Sequence, residues 1–106
     1  KVITSSTPYD AKGLLKSAIR EDNVVVSFEH KALYTMRGHI PEEEYTIPLG
    51  LADVKREGSD VSVITYARQV HYALEAAEHL QSDGKSFIAN FHLYAVLKIK
   101  RQISLI

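Results

Sequence analysis

Two adjacent side chains, Glu29 and His30, are the residues best suited to chemistry, and they directly follow a β-branched run. A carboxylate and an imidazole can serve general acid–base catalysis. Ligands of open parallel sheets bind beyond the carboxyl ends of the strands, so the pair stands where a ligand is expected. A polar strand exit that anchors the following connector explains the same two residues, and both interpretations stay open.

A second candidate is the segment from Ser17 to Asn23, where a predicted helix ends. The last turn of a helix leaves about four backbone carbonyls unpaired, and they carry the negative end of the helix dipole. Converging carbonyl oxygens can bind a hard cation, and a monovalent ion suits such neutral ligands. From the residues alone, capping by water is the simpler explanation.

A third pattern places His71, Glu75 and His79 on one face of a predicted helix. Two imidazoles and a carboxylate can bind a metal. However, His71 and His79 are two turns, about 12 Å, apart along the helix axis, which is too far for one ion. A solvated or partner-facing stripe is therefore favoured, and the acidic triplet Glu42 to Glu44 is interpreted as a solvated surface run.

A βαβ unit is predicted to position the first two candidates. Lys1 to Thr4 is typical of a strand, and Thr7 with Asp10 forms a helix-start signal. Val24 to Phe28 predicts a buried strand, so the two strands should be parallel. The helix should stop near residues 21–23. Its predicted apolar face comprises Ala11, Leu14, Leu15, Ala18 and Ile19. Gly13 inside this helix costs about 1 kcal/mol relative to Ala, which a close neighbour would explain.

The second half of the chain follows a connector, residues 29–50, that contains two prolines and two glycines. Leu51 to Lys55 and Val61 to Tyr66 predict strands, and residues 67–81 predict a helix that Ser82 to Gly84 end. A third strand is expected after Gly84. The predicted buried face of the helix comprises Val70, Ala73, Leu74, Ala77 and Leu80.

The amino-acid composition excludes or disfavours several classes of function for this chain. The 106 residues carry 13 basic and 13 acidic side chains, and a net charge of zero does not favour binding to nucleic acid or a membrane surface. The absence of cysteine excludes disulfides and thiolate chemistry. The longest apolar stretch, near residues 87–97, is too short to span a bilayer. A cytoplasmic setting is the default expectation.

The stretches "STPYDAKGLLKSAIREDN", "VVVSFEHKALY", "IPEEEYTIPLG" and "ADVKREGSDVSVITYARQVHYALEAAEHL" together resemble the β subunit of the thiamine-diphosphate-dependent 2-oxo acid dehydrogenases. That group includes pyruvate, branched-chain 2-oxo acid and acetoin dehydrogenases. The resemblance covers roughly residues 1–84. The "EHKALY" and "YTIPLG" stretches look closest to bacterial acetoin or branched-chain enzymes.

The resemblance implies an α/β fold in which the end of a parallel-sheet pyrimidine-binding domain joins the start of a transketolase C-terminal-like domain. The implied boundaries are 1–40 for the first domain, 41–50 for the linker and 51–86 for the second domain. Residues 87–106 form a divergent tail that departs from the family pattern, and a reading-frame slip is one hypothesis for it. The resemblance also implies a structural potassium ion bound by backbone oxygens of Ala18, Ile19, Glu21 and Asn23.

The implied function is oxidative decarboxylation with acyl transfer to a lipoyl group, in a bacterial cytoplasmic α2β2 enzyme that holds thiamine diphosphate and Mg²⁺ at the α/β interface. The partners implied are the α subunit and the lipoyl acyltransferase core. The glutamate that activates the cofactor lies upstream in the family pattern, so this chain alone is expected to be inactive. Glu29 and His30 are then candidates for the cofactor-facing edge. The alternatives are a non-catalytic interaction module that binds the α subunit or the acyltransferase core, and a small self-contained α/β binding domain.

Overall fold

The computed structural model describes residues 1–57 and 62–82. Strand β1 spans Val2–Thr4, helix α1 spans Pro8–Ile19 and strand β2 spans Val26–Phe28. A short 3-10 helix follows at Lys31–Leu33, and helix α2 spans Gln69–Ser82. The predicted tail and the strand expected after Gly84 lie outside the described residues.

The predicted βαβ unit is confirmed. Strands β1 and β2 pair in parallel, with Val2 opposite Val26 and Thr4 opposite Phe28. Helix α1 makes the crossover between them, which is the usual connection between neighbouring parallel strands. The α/β class is therefore correct.

The start of α1 also follows the sequence signal. The Thr7 side chain accepts a hydrogen bond from the backbone N–H of Asp10 at 3.1 Å, and the Asp10 carboxylate accepts one from the Thr7 N–H at 2.9 Å. This reciprocal capping box satisfies two N–H groups that the first turn leaves without helical partners. The helix ends at Ile19 with Arg20 as its C-cap, just before the predicted stop.

The predicted apolar face of α1 is only partly right. Leu14 is buried with Ile3, and Ala18 packs against them. Leu15 and Ile19 are 54% and 76% exposed, so the prediction that they are buried is wrong, and Ala11 is exposed as well. Within the described chain the core against α1 is small, and it covers a narrow stripe instead of a broad face.

Strand β2 is shorter and more exposed than predicted. The prediction of a buried strand over Val24 to Phe28 is wrong, because the strand begins at Val26 and all its residues are exposed. Val24 and Phe28 are 81% and 62% exposed. Only β1 pairs with this strand in the part of the chain that the structure describes. Within the described residues, Val26 and Phe28 therefore remain largely exposed to solvent.

The two strands predicted around residues 51–66 are not observed as such. Residues 51–55 form no strand, and Ser62 forms an isolated bridge with no strand over residues 63–66. Val61 lies outside the described residues. Leu51, Val54 and Ile64 are all more than half exposed. β-propensity reflects packing against neighbours, and these residues find little to pack against.

Helix α2 is close to its prediction. It begins two residues later than expected, after Ala67 in a left-handed conformation with φ of 50°. Val70 and Ala77 are buried, and Val63, Ala73 and Leu74 pack against Val70. Leu80 is half-buried. The predicted face is thus the one turned inward. Among the described helices, none is both long enough and apolar enough to cross a bilayer.

Candidate functional site

Glu29 and His30 leave β2 at the predicted place, but they do not act on each other. The Glu29 carboxylate accepts a hydrogen bond from the Tyr34 hydroxyl at 2.8 Å, and this bond raises the pKa of the Tyr34 phenol. His30 Nδ1 accepts a hydrogen bond from the Ala32 N–H at 3.2 Å and so caps the 3-10 helix. Both side chains hold the segment that follows the strand, and a catalytic role for them stays a prediction.

A cavity of about 390 Å³ opens at the carboxyl edge of the two strands. Its volume lies within the range of small-molecule sites. Glu29 and Tyr34 give it a polar side, whereas His30 does not line it. Its apolar wall includes Leu14, Leu15, Leu33, Met36 and Ile40. The arrangement can hold an apolar group beside a carboxylate and a phenol.

The end of α1 offers several backbone oxygens. The Ala18 carbonyl accepts a long hydrogen bond of 3.3 Å from the Glu21 N–H. Within residues 1–57 and 62–82, we find no hydrogen bond to the carbonyls of Ile19, Glu21 or Asn23. Neutral oxygens with free lone pairs at the negative end of a helix fit a monovalent cation. The predicted ligand set is chemically suitable, and its occupancy stays a prediction.

The Glu21 side chain has a different role from its carbonyl. Its carboxylate pairs with the Lys1 ammonium and accepts a hydrogen bond from the Asn23 side-chain amide at 2.9 Å. The bond from Lys1, followed by the bond from Asn23, lowers the pKa of Glu21. The carboxylate is thus committed to protein partners, which leaves the backbone oxygens as the groups available to an ion.

The stripe of His71, Glu75 and His79 has one member in contact with another part of the chain and two exposed members. His71 Nε2 lies 2.8 Å from the carbonyl oxygen of Ser6, while Glu75 and His79 are exposed. Across the two described ranges, no group of three or more His, Cys, Asp or Glu side chains could hold a metal ion. Glu75 and His79 are thus solvated, whereas His71 contacts another part of the chain.

The sequence interpretation missed the packing of the linker segment, residues 41–50, along α1. The Tyr45 ring stacks on Tyr9 with centroids 4.5 Å apart, and the Ile47 N–H donates to the Gly13 carbonyl at 3.2 Å. The Ser17 hydroxyl donates to the Ile47 carbonyl at 2.6 Å. Gly13 was the available signal, because an added Cβ would lie 2.6 Å from Ile47 Cγ1. The close neighbour that Gly13 implied is this segment.

The acidic triplet is exposed, as predicted, but one member is paired. Glu44 forms ion pairs with Lys16 and Arg20 on α1. Hydrogen bonds from Lys16 and then from Arg20 lower the pKa of Glu44. The linker segment therefore contacts α1 both through the charged Glu44 and through the apolar Ile47.

Comparison with known proteins identifies a domain profile and several proteins whose sequences are similar to this chain. Residues 50–88 match the profile of the C-terminal domain of transketolase. The chain is 55% identical over 87 residues to 2-oxoisovalerate dehydrogenase subunit beta of Bacillus subtilis, covering 81% of this chain and 27% of that protein. It is 61% identical over the same length to pyruvate dehydrogenase E1 component subunit beta of the same organism, with the same coverage of both chains.

A further relative comes from a second organism. The chain is 54% identical over 84 residues to pyruvate dehydrogenase E1 component subunit beta of Porphyra purpurea, which covers 79% of this chain and 25% of that protein. The chain thus spans about a quarter of the length of the curated relatives it matches. By its sequence, this chain is similar to about a quarter of the length of the β subunits of pyruvate and 2-oxoisovalerate dehydrogenases.

Proposed function

We propose that this chain works as part of the β subunit of a thiamine-diphosphate-dependent 2-oxo acid dehydrogenase. The whole enzyme would decarboxylate a 2-oxo acid oxidatively and transfer the acyl group to a lipoyl group. One observation carries the proposal: identities of 55% and 61% to two such β subunits extend over 81% of the chain. The relatives include pyruvate and branched-chain types, so the substrate is one of these classes or the related acetoin.

The proposed division into domains places the boundary in the linker segment. Residues 1–40 would end the pyrimidine-binding domain, and residues 51–86 would begin the transketolase C-terminal-like domain. The transketolase match, which begins at residue 50, supports this division. The packing of the linker segment on α1 would fix how the chain leaves the first domain.

Thiamine diphosphate would supply the carbanion chemistry of decarboxylation. The described residues contain no acidic or imidazole cluster for Mg²⁺. The resemblance to the thiamine-diphosphate-dependent β subunits implies that the Mg²⁺ and diphosphate ligands belong to the α subunit. Glu29 would stay at the cofactor-facing edge, where its carboxylate orients the Tyr34 hydroxyl beside the cavity. His30 would hold the chain after β2 through Ala32. The lipoyl acyltransferase core is the further proposed partner, and the bacterial cytoplasm is the proposed location.

A chimera tests the enzymatic proposal. The matching segment of the Bacillus subtilis pyruvate dehydrogenase E1 component subunit beta is replaced by that of this chain and assembled with its own α subunit. Turnover of pyruvate and of 2-oxoisovalerate is then measured. We expect turnover within about tenfold of the parent enzyme, which corresponds to about 1.4 kcal/mol of activation free energy. The control carries Leu14→Asp, which places a charge in the core and should prevent assembly.

The second candidate function is the interaction module. It is favoured by one observation: the acid–base pair is occupied by structural hydrogen bonds to Tyr34 and Ala32. An assembled chimera that binds the α subunit without turning over either substrate would support this module and contradict the catalytic proposal. Binding of the 106-residue chain itself to the α subunit, measured by calorimetry, would support it further.

The cation proposal is that backbone oxygens of Ala18, Ile19, Glu21 and Asn23 bind potassium. Potassium at ten times its dissociation constant would stabilise the fold by about 1.4 kcal/mol. This free energy corresponds to a rise of about 5 °C or more in melting temperature for a domain of this size. The measurement compares potassium chloride with tetramethylammonium chloride at equal ionic strength.

A side-chain variant separates carbonyl from carboxylate binding. Glu21→Gln removes the charge and keeps the backbone oxygen, so the potassium-dependent rise should persist. Loss of the rise in this variant would mean that the carboxylate binds the ion. No rise in the unmodified chain would contradict the site.

A further inference from the structure

Two contacts join the N-terminal end of α1 to the part of the chain that follows the linker segment. Asp10 Oδ1 lies 3.4 Å from Lys55 Nζ, and His71 Nε2 lies 2.8 Å from the Ser6 carbonyl oxygen. These partners are 45 and 65 residues apart in sequence. A carbonyl oxygen only accepts hydrogen bonds, so His71 Nε2 must carry the hydrogen in this contact.

Asp10 has an unusual combination of burial and charge. It is 1% exposed, and a buried carboxylate is costly unless it is paired and hydrogen-bonded. Its Oδ2 accepts the Thr7 N–H within the capping box, while its Oδ1 faces Lys55. One carboxylate therefore both caps α1 and pairs with a cation from beyond the linker segment.

Lys55 is shared between two carboxylates. Its Nζ lies 2.6 Å from Asp53 Oδ2 as well as 3.4 Å from Asp10 Oδ1. Burial alone lowers the pKa of Lys55, but the hydrogen bond to Asp53 and the charges of Asp10 and Asp53 raise it overall. Lys55 is thus a cation at neutral pH. Asp53 lies two residues from Lys55, so their bond orients the ammonium without joining distant parts of the chain.

We propose that the Asp10–Lys55 ion pair and the His71–Ser6 hydrogen bond form a docking contact that fixes α2 and residues 53–55 in one orientation on the capped end of α1. The ion pair attracts the two parts of the chain to each other, and the directional hydrogen bond of the imidazole fixes their relative orientation. Because the same carboxylate caps α1, formation of the first helical turn and docking of the second half support each other. The docking contact is a property of this chain and does not depend on the proposed enzymatic function.

Hydrogen exchange of the full 106-residue chain, followed by NMR or fragment-resolved mass spectrometry, tests this proposal. Asp10→Asn keeps an acceptor for the Thr7 N–H but removes the charge, and Lys55→Met keeps the aliphatic stem. Each variant should raise the exchange rates of the Val70 and His71 amides by about tenfold, as expected for coupled neighbours. The Val26 amide, which bonds the Lys1 carbonyl between the strands, should keep its rate.

The double variant and three further variants make the test decisive. Combining Asp10→Asn with Lys55→Met should add little to either single effect, and Lys55→Arg should restore slow exchange. Asp53→Asn and the exposed control Lys31→Met should leave the exchange of α2 unchanged.

Several outcomes would overturn the proposal. Full additivity of the two substitutions would show that Asp10 and Lys55 are not coupled. An equal rise at the Val26 amide would show general unfolding instead of undocking. Loss of protection in Asp53→Asn as large as in Asp10→Asn would place the important carboxylate on Asp53.

Discussion

Replacing Gly13 by alanine tests whether the linker segment truly packs on α1. In the interior of an exposed helix this change stabilises by about 1 kcal/mol, because glycine loses more backbone entropy on folding. Here the new Cβ would lie 2.6 Å and 2.7 Å from Ile47 Cγ1 and Cδ1, and 2.8 Å from Tyr45 Cε2. All three separations are shorter than real Cβ contacts permit, so something must move.

The neighbours of Gly13 have little freedom to move away. Tyr45 is stacked on Tyr9, and the Ile47 backbone is hydrogen-bonded on both sides, to Gly13 and Ser17. Overpacking costs about 1–3 kcal/mol, and loosening a backbone hydrogen bond costs about 1 kcal/mol more. After subtracting the helix gain of about 1 kcal/mol, we expect Gly13→Ala to destabilise the chain by about 1–3 kcal/mol.

Urea denaturation of the 106-residue chain measures this difference in unfolding free energy. An unchanged dependence of that free energy on urea concentration checks that both proteins unfold by the same two-state transition. Gly38→Ala is the matched comparison, because its Cβ would approach Pro8 to 3.3 Å, a milder crowding that a shift of a few tenths of an ångström relieves, so it should cost less than Gly13→Ala. In an Ile47→Ala background the cost of Gly13→Ala should fall, since the two sites are in contact. Stabilisation of about 1 kcal/mol by Gly13→Ala alone would refute the packing of the linker segment.

Three further outcomes are expected. Leu14→Ala should cost about 2–5 kcal/mol in urea denaturation, whereas the exposed Leu15→Ala should cost less than about 1 kcal/mol; equal costs would contradict the narrow buried stripe. Thr7→Ala should cost about 1 kcal/mol by loss of the N-cap, measured as a lower melting temperature, and an unchanged value would contradict the capping box. Hydrogen bonds from Lys16 and Arg20 lower the pKa of Glu44 in the folded chain. The contribution of Glu44 to stability is therefore present above its unfolded pKa, near 4.5, and is lost as the pH falls through the lower folded pKa. Glu44→Gln should therefore flatten the acid side of the stability profile, and an unchanged profile would contradict the ion pairs.

The features predicted well from sequence are those with local causes. The start of α1 depends on Thr7 and Asp10, which lie three residues apart and satisfy each other's N–H groups. The parallel pairing follows from a strand, a helix and a strand joined by short connections. Both kinds of signal are complete within about thirty residues of sequence, so no distant neighbour was needed to interpret them.

Burial was predicted less well because it depends on which elements lie opposite. Leu15 and Phe28 have the residue types of a core, yet each faces solvent in the described chain. Leu51 and Val54 likewise have strand-forming neighbours in sequence, but they join no sheet among the residues that the structure describes. Spacing shows which residues share a face, and it does not show whether another layer covers that face.

The position of Glu29 at the edge of the sheet was predicted better than its contacts were, and its role in a site stays a prediction. Glu29 does line a cavity at the edge of the sheet, but its partner Tyr34 was not anticipated. The burial of Asp10 was missed because its cation, Lys55, comes from 45 residues away. Ion pairs between distant segments leave no periodic trace in a sequence.

Helix α1 carries one set of contacts at its start, another along its middle and, at its end, backbone oxygens proposed to bind a cation. Each residue inserted into or deleted from such a helix turns everything after it by about 100° and shifts it by about 1.5 Å. A change of one residue between Asp10 and Ser17 would separate the capped end from the linker contacts and redirect the oxygens beyond Ile19. Natural variation in this segment should therefore be by substitution, with its length held constant.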